Sequence, residues 1–150
     1  MKEINKVKDI NEYSNKTLLI VDDDNPFRER LSRAMEKKGF VVTQAESVKK
    51  GIDSTKNIKP AFAVVDLRLN DGSGLEVVKE IQNLNTDSRI IMLTGYGNIP
   101  TAVAAIKHGA IDYLSKPADA DDVEKALLAD PNAKAQPPEN PMTADRVKWE

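Results

Sequence analysis

The sequence predicts an α/β fold in which five strand–helix units, written (βα)5, form one doubly wound parallel sheet. Three observations point to this fold. Strand-like and helix-like segments alternate five times from Thr17 onward. The strand-like segments are continuous apolar runs, which are typical of strands that helices cover on both faces. Proline and glycine stand where helices should begin and end, for example at Pro26, Gly39 and Gly109.

Each strand of the predicted sheet corresponds to one apolar run. The runs are residues 18–21, 40–45, 61–65, 90–93 and 111–115. Parallel neighbours need crossover connections, and such crossovers are right-handed. We therefore expect the five strands to follow the flavodoxin-like order 2-1-3-4-5.

Each helix is predicted from apolar residues at helical spacing. The residues expected to mark the apolar faces are Phe27, Leu31, Ala34 and Met35 in the first helix, Val48 and Ile52 in the second, Leu75, Val78, Ile81 and Leu84 in the third, and Val123, Ala126 and Leu127 in the fifth. The fourth helix starts near Pro100 and has Val103 and Ile106 as its larger apolar residues. Asp119 stands where a side chain can cap the fifth helix.

Two flanking segments fall outside this pattern. Residues 1–16 are polar and mixed in charge, so we expect a frayed N-terminal tail before the folded domain at 17–129. Four of the eight prolines fall within residues 130–150, which predicts an extended linker rather than a helix or central strand. Residues 142–150 are expected to open a further helix, whose domain is absent from the chain.

Composition excludes several classes of protein. The formal net charge is -2 and no long basic stretch occurs, so nucleic-acid binding by this chain alone is not supported. Its apolar runs are far shorter than the roughly 20 residues of a membrane helix, and the first residues lack the apolar centre of a secretory signal. The absence of cysteine excludes disulfides and thiolate metal sites. By elimination we expect a cytoplasmic protein without a membrane partner.

Four of the apolar runs end in polar residues of particular kinds. Asp22 and Asp23 follow the first run, Asp66 the third, Thr94 the fourth and Lys116 the fifth. The carboxyl ends of parallel strands meet at one edge of the sheet, where α/β proteins bind their ligands. An aspartate after a strand is also a common turn residue, and a single threonine or lysine is commonly structural. The prediction of a site therefore depends on the four endings taken together.

The chemistry of these residues points to phosphoryl transfer with a divalent metal. Asp22, Asp23 and Asp66 would repel one another unless they were protonated or bridged by a cation. Carboxylates without histidine or cysteine favour Mg²⁺ or Mn²⁺. A carboxylate can also act as a nucleophile, and Asp66 is the predicted acceptor because it stands alone after a central strand. Lys116 would neutralise a phosphoryl oxygen and Thr94 would donate a hydrogen bond.

At these positions the sequence resembles the receiver domain of bacterial two-component response regulators, which has a CheY-like fold. The similarity covers residues 17–128. It rests on Val-Asp-Asp-Asp at 21–24, Val-Asp-Leu-Arg-Leu at 65–69, Asp-Gly-Ser-Gly at 71–74, Leu-Thr-Gly at 93–95 and Lys-Pro at 116–117.

The resemblance implies a role for each matching residue. Asp66 would be the phosphoacceptor, and Asp22, Asp23 and Asp66 would hold the metal together with the main-chain carbonyl of Arg68. Thr94 and Lys116 would contact the phosphoryl group, and Tyr113 would be an aromatic switch that turns inward with Thr94. The Lys116–Pro117 peptide bond would be cis.

A closer resemblance is to the RegA/PrrA/ActR group of redox-responsive transcription regulators. It extends over residues 71–75, 94–99, 101–107, 116–123 and 138–150. It implies a sensor histidine kinase as phosphoryl donor, docking against the first helix near Phe27 to Met35. It also implies homodimerisation through the fourth helix, fifth strand and fifth helix, and DNA binding only through an absent C-terminal helix-turn-helix domain. The chain would then be a signalling protein that catalyses only its own phosphorylation and dephosphorylation.

Other interpretations stay open from the sequence. A stand-alone receiver would have the same site, and a turnover phosphatase would use the same aspartyl phosphate. Phosphatases of that kind carry a second aspartate two residues after the nucleophile, whereas this chain has Arg68 there. A flavodoxin-like cofactor binder is disfavoured because carboxylates line the edge where a phosphate-binding loop should lie. Tyr96 would either shield the phosphorylated aspartate from water or be an exposed loop tyrosine.

Overall fold

The computed structural model describes residues 9–95 and 99–129, and these residues form a parallel sheet with helices packed on both faces. The strands are β1 (Thr17–Val21), β2 (Val41–Ala45), β3 (Phe62–Asp66), β4 (Arg68–Leu69), β5 (Gly72–Ser73), β6 (Arg89–Thr94) and β7 (Asp112–Ser115). The helices are α1 (Asn25–Lys37), α2 (Val48–Ile58), α3 (Gly74–Leu84), α4 (Ile99–Lys107) and α5 (Ala120–Leu128), and a 3₁₀ turn at Ile10–Glu12 precedes β1.

The main sheet has the predicted topology. Its order is β2-β1-β3-β6-β7, and every neighbouring pair is parallel. The short strands β4 and β5 form a separate antiparallel hairpin. When only the five strands of the main sheet are counted, their order is 2-1-3-4-5, so the predicted doubly wound fold is confirmed.

The core divides into two apolar clusters, one on each face of the sheet. Leu18 and Ile20 of β1 belong to the cluster that includes residues of α1 and α5. Leu19 and Val21 belong to the other cluster, which includes residues of α2 and α3. Successive residues of a strand point to opposite faces, so a continuous apolar run supplies both clusters at once.

In the part of the chain that the structure describes, none of the helices has the length and apolar character that a membrane span requires.

One predicted core position is wrong. Leu84 was expected to face inward, but it is 39% exposed, whereas Val77 is fully buried. Val77, Val78 and Ile81 already form the buried stripe of α3, and Leu84 is the last residue of that helix. The terminal position leaves Leu84 beside solvent even though it fits the helical spacing.

The segment before β1 also differs from the expected frayed tail over the residues described. Asp9 begins the 3₁₀ turn by accepting a hydrogen bond from the Asn11 N–H at 3.0 Å. Ile10 is only 3% exposed and joins the cluster next to α1 and α5. The ring of Tyr13 packs edge-on against Phe62 with centroids 5.1 Å apart. The described part of this segment therefore joins the domain core through Ile10 and Tyr13.

We expect Ile10→Ala to lower the free energy of unfolding by about 2–4 kcal/mol, since it removes a buried aliphatic side chain and leaves a cavity. Urea denaturation followed by circular dichroism measures the change. Ile106→Ala is the matched control, because Ile106 is 40% exposed and its truncation should cost less. Equal small losses in both variants would show that residues 9–13 do not pack in solution.

Candidate functional site

The carboxyl ends of four strands bring the predicted site residues to one edge of the sheet. Asp22 follows β1, Asp66 ends β3, Thr94 ends β6 and Lys116 follows β7. The register places Asp66 opposite Leu93 and Thr94 opposite Ser115. The Lys116 N–H donates to the Thr94 carbonyl at 2.8 Å, which extends the pairing of these two strands by one residue. The convergence expected from the sequence is therefore present.

Three carboxylates form an acidic cluster at this edge. Asp22 is fully buried and Asp66 is 6% exposed, while Asp23 is partly buried. One carboxylate oxygen from each residue lies within 4.8 Å of the others. Oxygen donors without histidine or cysteine are the ligands that hard divalent cations such as Mg²⁺ select. The donor set and its spacing fit a divalent metal ion.

The three consecutive aspartates have different local roles. Asp24 caps α1, where its Oδ1 accepts a hydrogen bond from the Phe27 N–H at 3.1 Å. Asp22 Oδ1 accepts from the Asp24 N–H at 2.9 Å, which turns its other oxygen toward the site. The helix start and the acidic cluster are thus built from one short segment, and only Asp22 and Asp23 contribute to the cluster.

Arg28 forms hydrogen bonds with this segment and was not identified from the sequence as a site residue. Its side chain is buried, and its Nη1 donates to the Asp22 carbonyl at 2.8 Å and to Asn25 Oδ1 at 2.7 Å. Its Nε donates to Gln44 Oε1 at 2.9 Å, which links the segment to β2. Arginine is rarely buried without partners. In the sequence, the only sign of this role was an arginine next to the apolar face of the first helix.

Lys116 connects two of the carboxylates. Its ammonium nitrogen lies 3.0 Å from Asp22 Oδ2 and 3.4 Å from Asp66 Oδ2. The Lys116–Pro117 peptide bond is cis, as the family resemblance implied. Lys116 Nζ also lies over the ring of Phe27, 5.0 Å from its centroid. Phe27 was predicted as a core residue and as part of a docking surface, so its contact with the site lysine was missed.

Burial and charge shift the acidity of both partners. Burial raises the pKa of Asp66 to about 6, and the negative charge of Asp22 adds to this effect, while Lys116 opposes it. Burial alone would lower the pKa of Lys116, but its hydrogen bond to Asp22 and the two carboxylate charges outweigh burial and raise it. The lysine therefore stays charged, and the Asp66 carboxyl group releases its proton less readily than an ordinary aspartate does.

The β4–β5 hairpin holds the backbone around Asp66. The Arg68 N–H donates to Asp66 Oδ1 at 3.3 Å, and the Gly74 N–H donates to the Leu67 carbonyl at 2.8 Å. A Cβ atom at Gly74 would lie 2.1 Å from the Asp66 carbonyl oxygen, so only glycine permits this approach. Asp71 accepts hydrogen bonds from the first N–H groups of α2 and ties the hairpin to that helix. The Asp-Gly-Ser-Gly motif thus positions the strand end.

Thr94 ends β6, and Tyr113 lies on the neighbouring strand β7. Thr94 is fully buried, and its hydroxyl donates to the Gly95 carbonyl at 3.1 Å. Tyr113 is partly buried and packs against the apolar cluster that contains Met92. The side chain of Arg68 is exposed. Tyr96 lies outside the described residues, so its two sequence interpretations stay as they were.

The raised pKa of Asp66 predicts a pH-dependent stability difference for Asp66→Asn. The folded-state pKa of Asp66, about 6, exceeds the ordinary value of 3.8. Ionisation of Asp66 therefore destabilises the folded protein progressively as pH rises from 3.8 to about 6, and the loss is complete above pH 6. We expect Asp66→Asn to melt higher than wild type at pH 7 in a metal chelator, because it cannot ionise. The gap should close as pH falls through 6 toward 4.

Thermal unfolding followed by circular dichroism between pH 4 and 8 measures this difference. Asp53→Asn, the same substitution at an exposed position on α2, is the matched control. A gap for Asp66→Asn that stayed constant over this range would contradict the raised pKa.

Comparison with known proteins identifies the same segment as a known domain. A family model described as response regulator receiver domain matches residues 18–128. The acid tolerance regulatory protein ActR of Rhizobium meliloti (strain 1021) is 60% identical over 135 residues, which cover 90% of this chain and 70% of ActR. The photosynthetic apparatus regulatory protein RegA of Rhodobacter capsulatus is 59% identical over 137 residues, which cover 91% of this chain and 74% of RegA.

Solved structures agree with this match. A response regulator protein from Burkholderia pseudomallei, solved with a phosphorylated aspartic acid, a calcium ion and citrate, is 38% identical and aligns with a TM-score of 0.74. That alignment covers 81% of this chain and 70% of the other. The receiver domain of NtrX from Brucella abortus is 29% identical with a TM-score of 0.66, covering 73% of this chain and 97% of the other. The chain belongs to the response regulator receiver domain family.

Proposed function

We propose that this receiver domain accepts a phosphoryl group on Asp66 in the presence of Mg²⁺ and switches conformation to control an output. The observation that supports this most directly is the Lys116 ammonium between Asp22 Oδ2 and Asp66 Oδ2 at a buried, acidic strand edge. A buried carboxylate beside a fixed cation and further carboxylates combines a nucleophile with the charges that a phosphoryl group needs.

Each residue has a defined part in the transfer. An ionised Asp66 oxygen attacks the phosphorus atom, and the bond from phosphorus to the leaving group breaks with its electron pair on the leaving group. Lys116 pairs with one phosphoryl oxygen and the Thr94 hydroxyl donates to another. Asp22, Asp23, Asp66 and the Arg68 carbonyl would hold Mg²⁺ (or Mn²⁺), which supplies further charge neutralisation. Attack of water on phosphorus later restores the Asp66 carboxylate and releases phosphate.

Switching follows from the position of Thr94. Its hydroxyl is bonded only to the neighbouring Gly95 carbonyl among the contacts of the described residues, so a phosphoryl group on Asp66 can draw it away. Tyr113 is partly buried and would fill the space that Thr94 leaves. On the helix α4, which follows β6, Val103 is 43% exposed and Ile106 is 40% exposed. The α4–β7–α5 face is therefore the proposed site of homodimerisation in the phosphorylated state.

A sensor histidine kinase is the proposed donor, docking beside α1. A groove of about 440 Å³ lies between α1 and the segment after β7, and its lining includes Phe27, Leu31 and Pro117. This groove reaches the segment that carries Lys116, so a protein bound there is close to the acidic cluster. An apolar groove next to the acceptor suits a helical partner that presents a phosphohistidine.

Transcription is the proposed output. The names of the relatives describe regulatory proteins, and FixJ of Rhizobium meliloti (strain 1021), 35% identical over 101 residues, is named as a transcriptional regulatory protein. DNA would be bound through a further domain after the proline-rich linker, and residues 130–150 lie outside the described part of the structure. We propose a cytoplasmic location. We also propose that the chain has no turnover activity, since Arg68 occupies the position of a phosphatase's second aspartate.

Incubation with Mg²⁺ and acetyl phosphate should add the mass of one phosphoryl group to the intact chain, with acetate as the leaving group. Mass spectrometry of the protein and of its peptides measures the gain and assigns it to Asp66. Asp66→Asn should gain nothing, and Asp53→Asn, at an exposed position on α2, should gain as wild type. Rapid release of phosphate without accumulation on Asp66 would instead support a phosphatase.

Phosphorylation should shift the chain to a larger apparent size in size-exclusion chromatography. Thr94→Ala should still take up phosphate on Asp66 but should lose the shift, because the hydroxyl that couples the phosphoryl group to α4 is gone. Thr94→Ser keeps the hydroxyl and should keep the shift. If phosphorylated Thr94→Ala eluted like phosphorylated wild type, the proposed coupling would be wrong.

A further inference from the structure

The Lys116 ammonium contacts an aromatic ring as well as the two carboxylates. Its Nζ atom lies over the ring of Phe27, 5.0 Å from the centroid, which is within the range of a cation–π interaction. Phe27 is 8% exposed, and the Lys116 side chain is 25% exposed. Two of the three N–H donors of the ammonium have carboxylate acceptors, Asp22 and Asp66. The ring therefore replaces water on part of the remaining surface of this cation.

The local structure holds the ring in this position. The Phe27 N–H donates to Asp24 Oδ1, and Pro26 occupies the first turn of α1. The segment that supplies Asp22 and Asp23 to the acidic cluster therefore also sets the position of Phe27. The side chain belongs to the apolar cluster that includes Leu31 and other residues of α1 and α5. A ring held by a helix cap and by packing loses little further freedom when it contacts the lysine.

The contact with Lys116 supplies a reason for an aromatic ring at position 27 in addition to packing. An aliphatic side chain of similar size would fill the same space beside α5. It would remove water from the ammonium without returning any electrostatic attraction, and this would leave the cation less stable. The negative face of an aromatic ring returns part of that lost hydration energy. The chemistry of the contact therefore favours an aromatic residue over an aliphatic one of similar size.

We propose that Phe27 is a positioning residue for Lys116, and that its ring face holds the ammonium where the phosphoryl group arrives at Asp66. The proposal rests on the proposed role of Asp66 as phosphoacceptor. The ring lies against the Lys116 ammonium, which is 5.0 Å from the ring centroid, so it acts through the lysine. Its expected influence is on the rate at which Asp66 is phosphorylated.

The test varies the charge distribution of the ring at nearly constant size. Phenylalanine at position 27 is replaced by its mono-, di- and trifluorinated forms in the 150-residue chain. Each fluorine withdraws electrons from the ring face and weakens its attraction for a cation. The rate of Asp66 phosphorylation by acetyl phosphate with Mg²⁺ should fall stepwise with the number of fluorines. A role in packing alone would not produce this graded fall.

Phe27→Met supplies the aliphatic comparison and should slow phosphorylation by about 3- to 30-fold, which is the rate equivalent of a typical cation–π contact. In a Lys116→Met background the same Phe27 substitutions should have no further effect on the residual rate. Arg30→Gln is the control. It removes an exposed guanidinium 5.9 Å from the same ring and should leave the rate close to wild type.

The possible results separate this proposal from the proposed function. If wild type gains no phosphoryl group on Asp66, the proposed function fails. If wild type is phosphorylated but the rate does not depend on fluorination, Phe27 only packs and the proposal is overturned. A stepwise fall that disappears in the Lys116→Met background supports it. The fluorinated series stays decisive even if Phe27→Met folds poorly.

Discussion

The contact between the Lys116 ammonium and the carboxylates of Asp22 and Asp66 is the interaction on which the site depends. Without a cation, two buried carboxylates and the nearby Asp23 would repel one another. With it, the edge keeps a charged lysine beside Asp66, whose pKa is raised by burial. One lysine does not neutralise three carboxylates, so the negative charge that remains at this edge favours binding of a divalent cation.

The surrounding elements hold this arrangement from several directions. Arg28 fixes the backbone of Asp22 from within α1, and Gly74 lets α3 begin directly against the Asp66 carbonyl. Asp71 joins the β4–β5 hairpin to the start of α2. The side of the domain with α4 differs, since Val103 and Ile106 there are partly exposed. An acidic edge held by these contacts, in the same domain as a helix with exposed apolar residues, fits the proposed conformational switch.

Sequence patterns were sufficient for the fold and for most of the site. Continuous apolar runs predicted the strands. The polar residues at their ends predicted the candidate site residues, which are Asp22, Asp23, Asp66, Thr94 and Lys116. Both patterns can be recognised within a few consecutive residues. Errors arose where a helix end or neighbours far along the chain decide burial. Leu84 fits the helical spacing but ends its helix, and Ile10 looks solvated but packs into the core next to α1 and α5. Arg28 and Phe27 joined the site through contacts that spacing does not encode.

The amino-acid sequence by itself determined the order of strands and helices, the acidic and basic residue types at the strand ends, and membership of a signalling family. Those properties follow from local hydrophobic periodicity and from motifs of a few residues. Only the tertiary structure decided that Lys116 is shared between Asp22 and Asp66 and lies over the ring of Phe27. Such distances depend on how β1, β3, β7 and α1 pack together, since these contacts join residues separated by fifty positions or more along the chain.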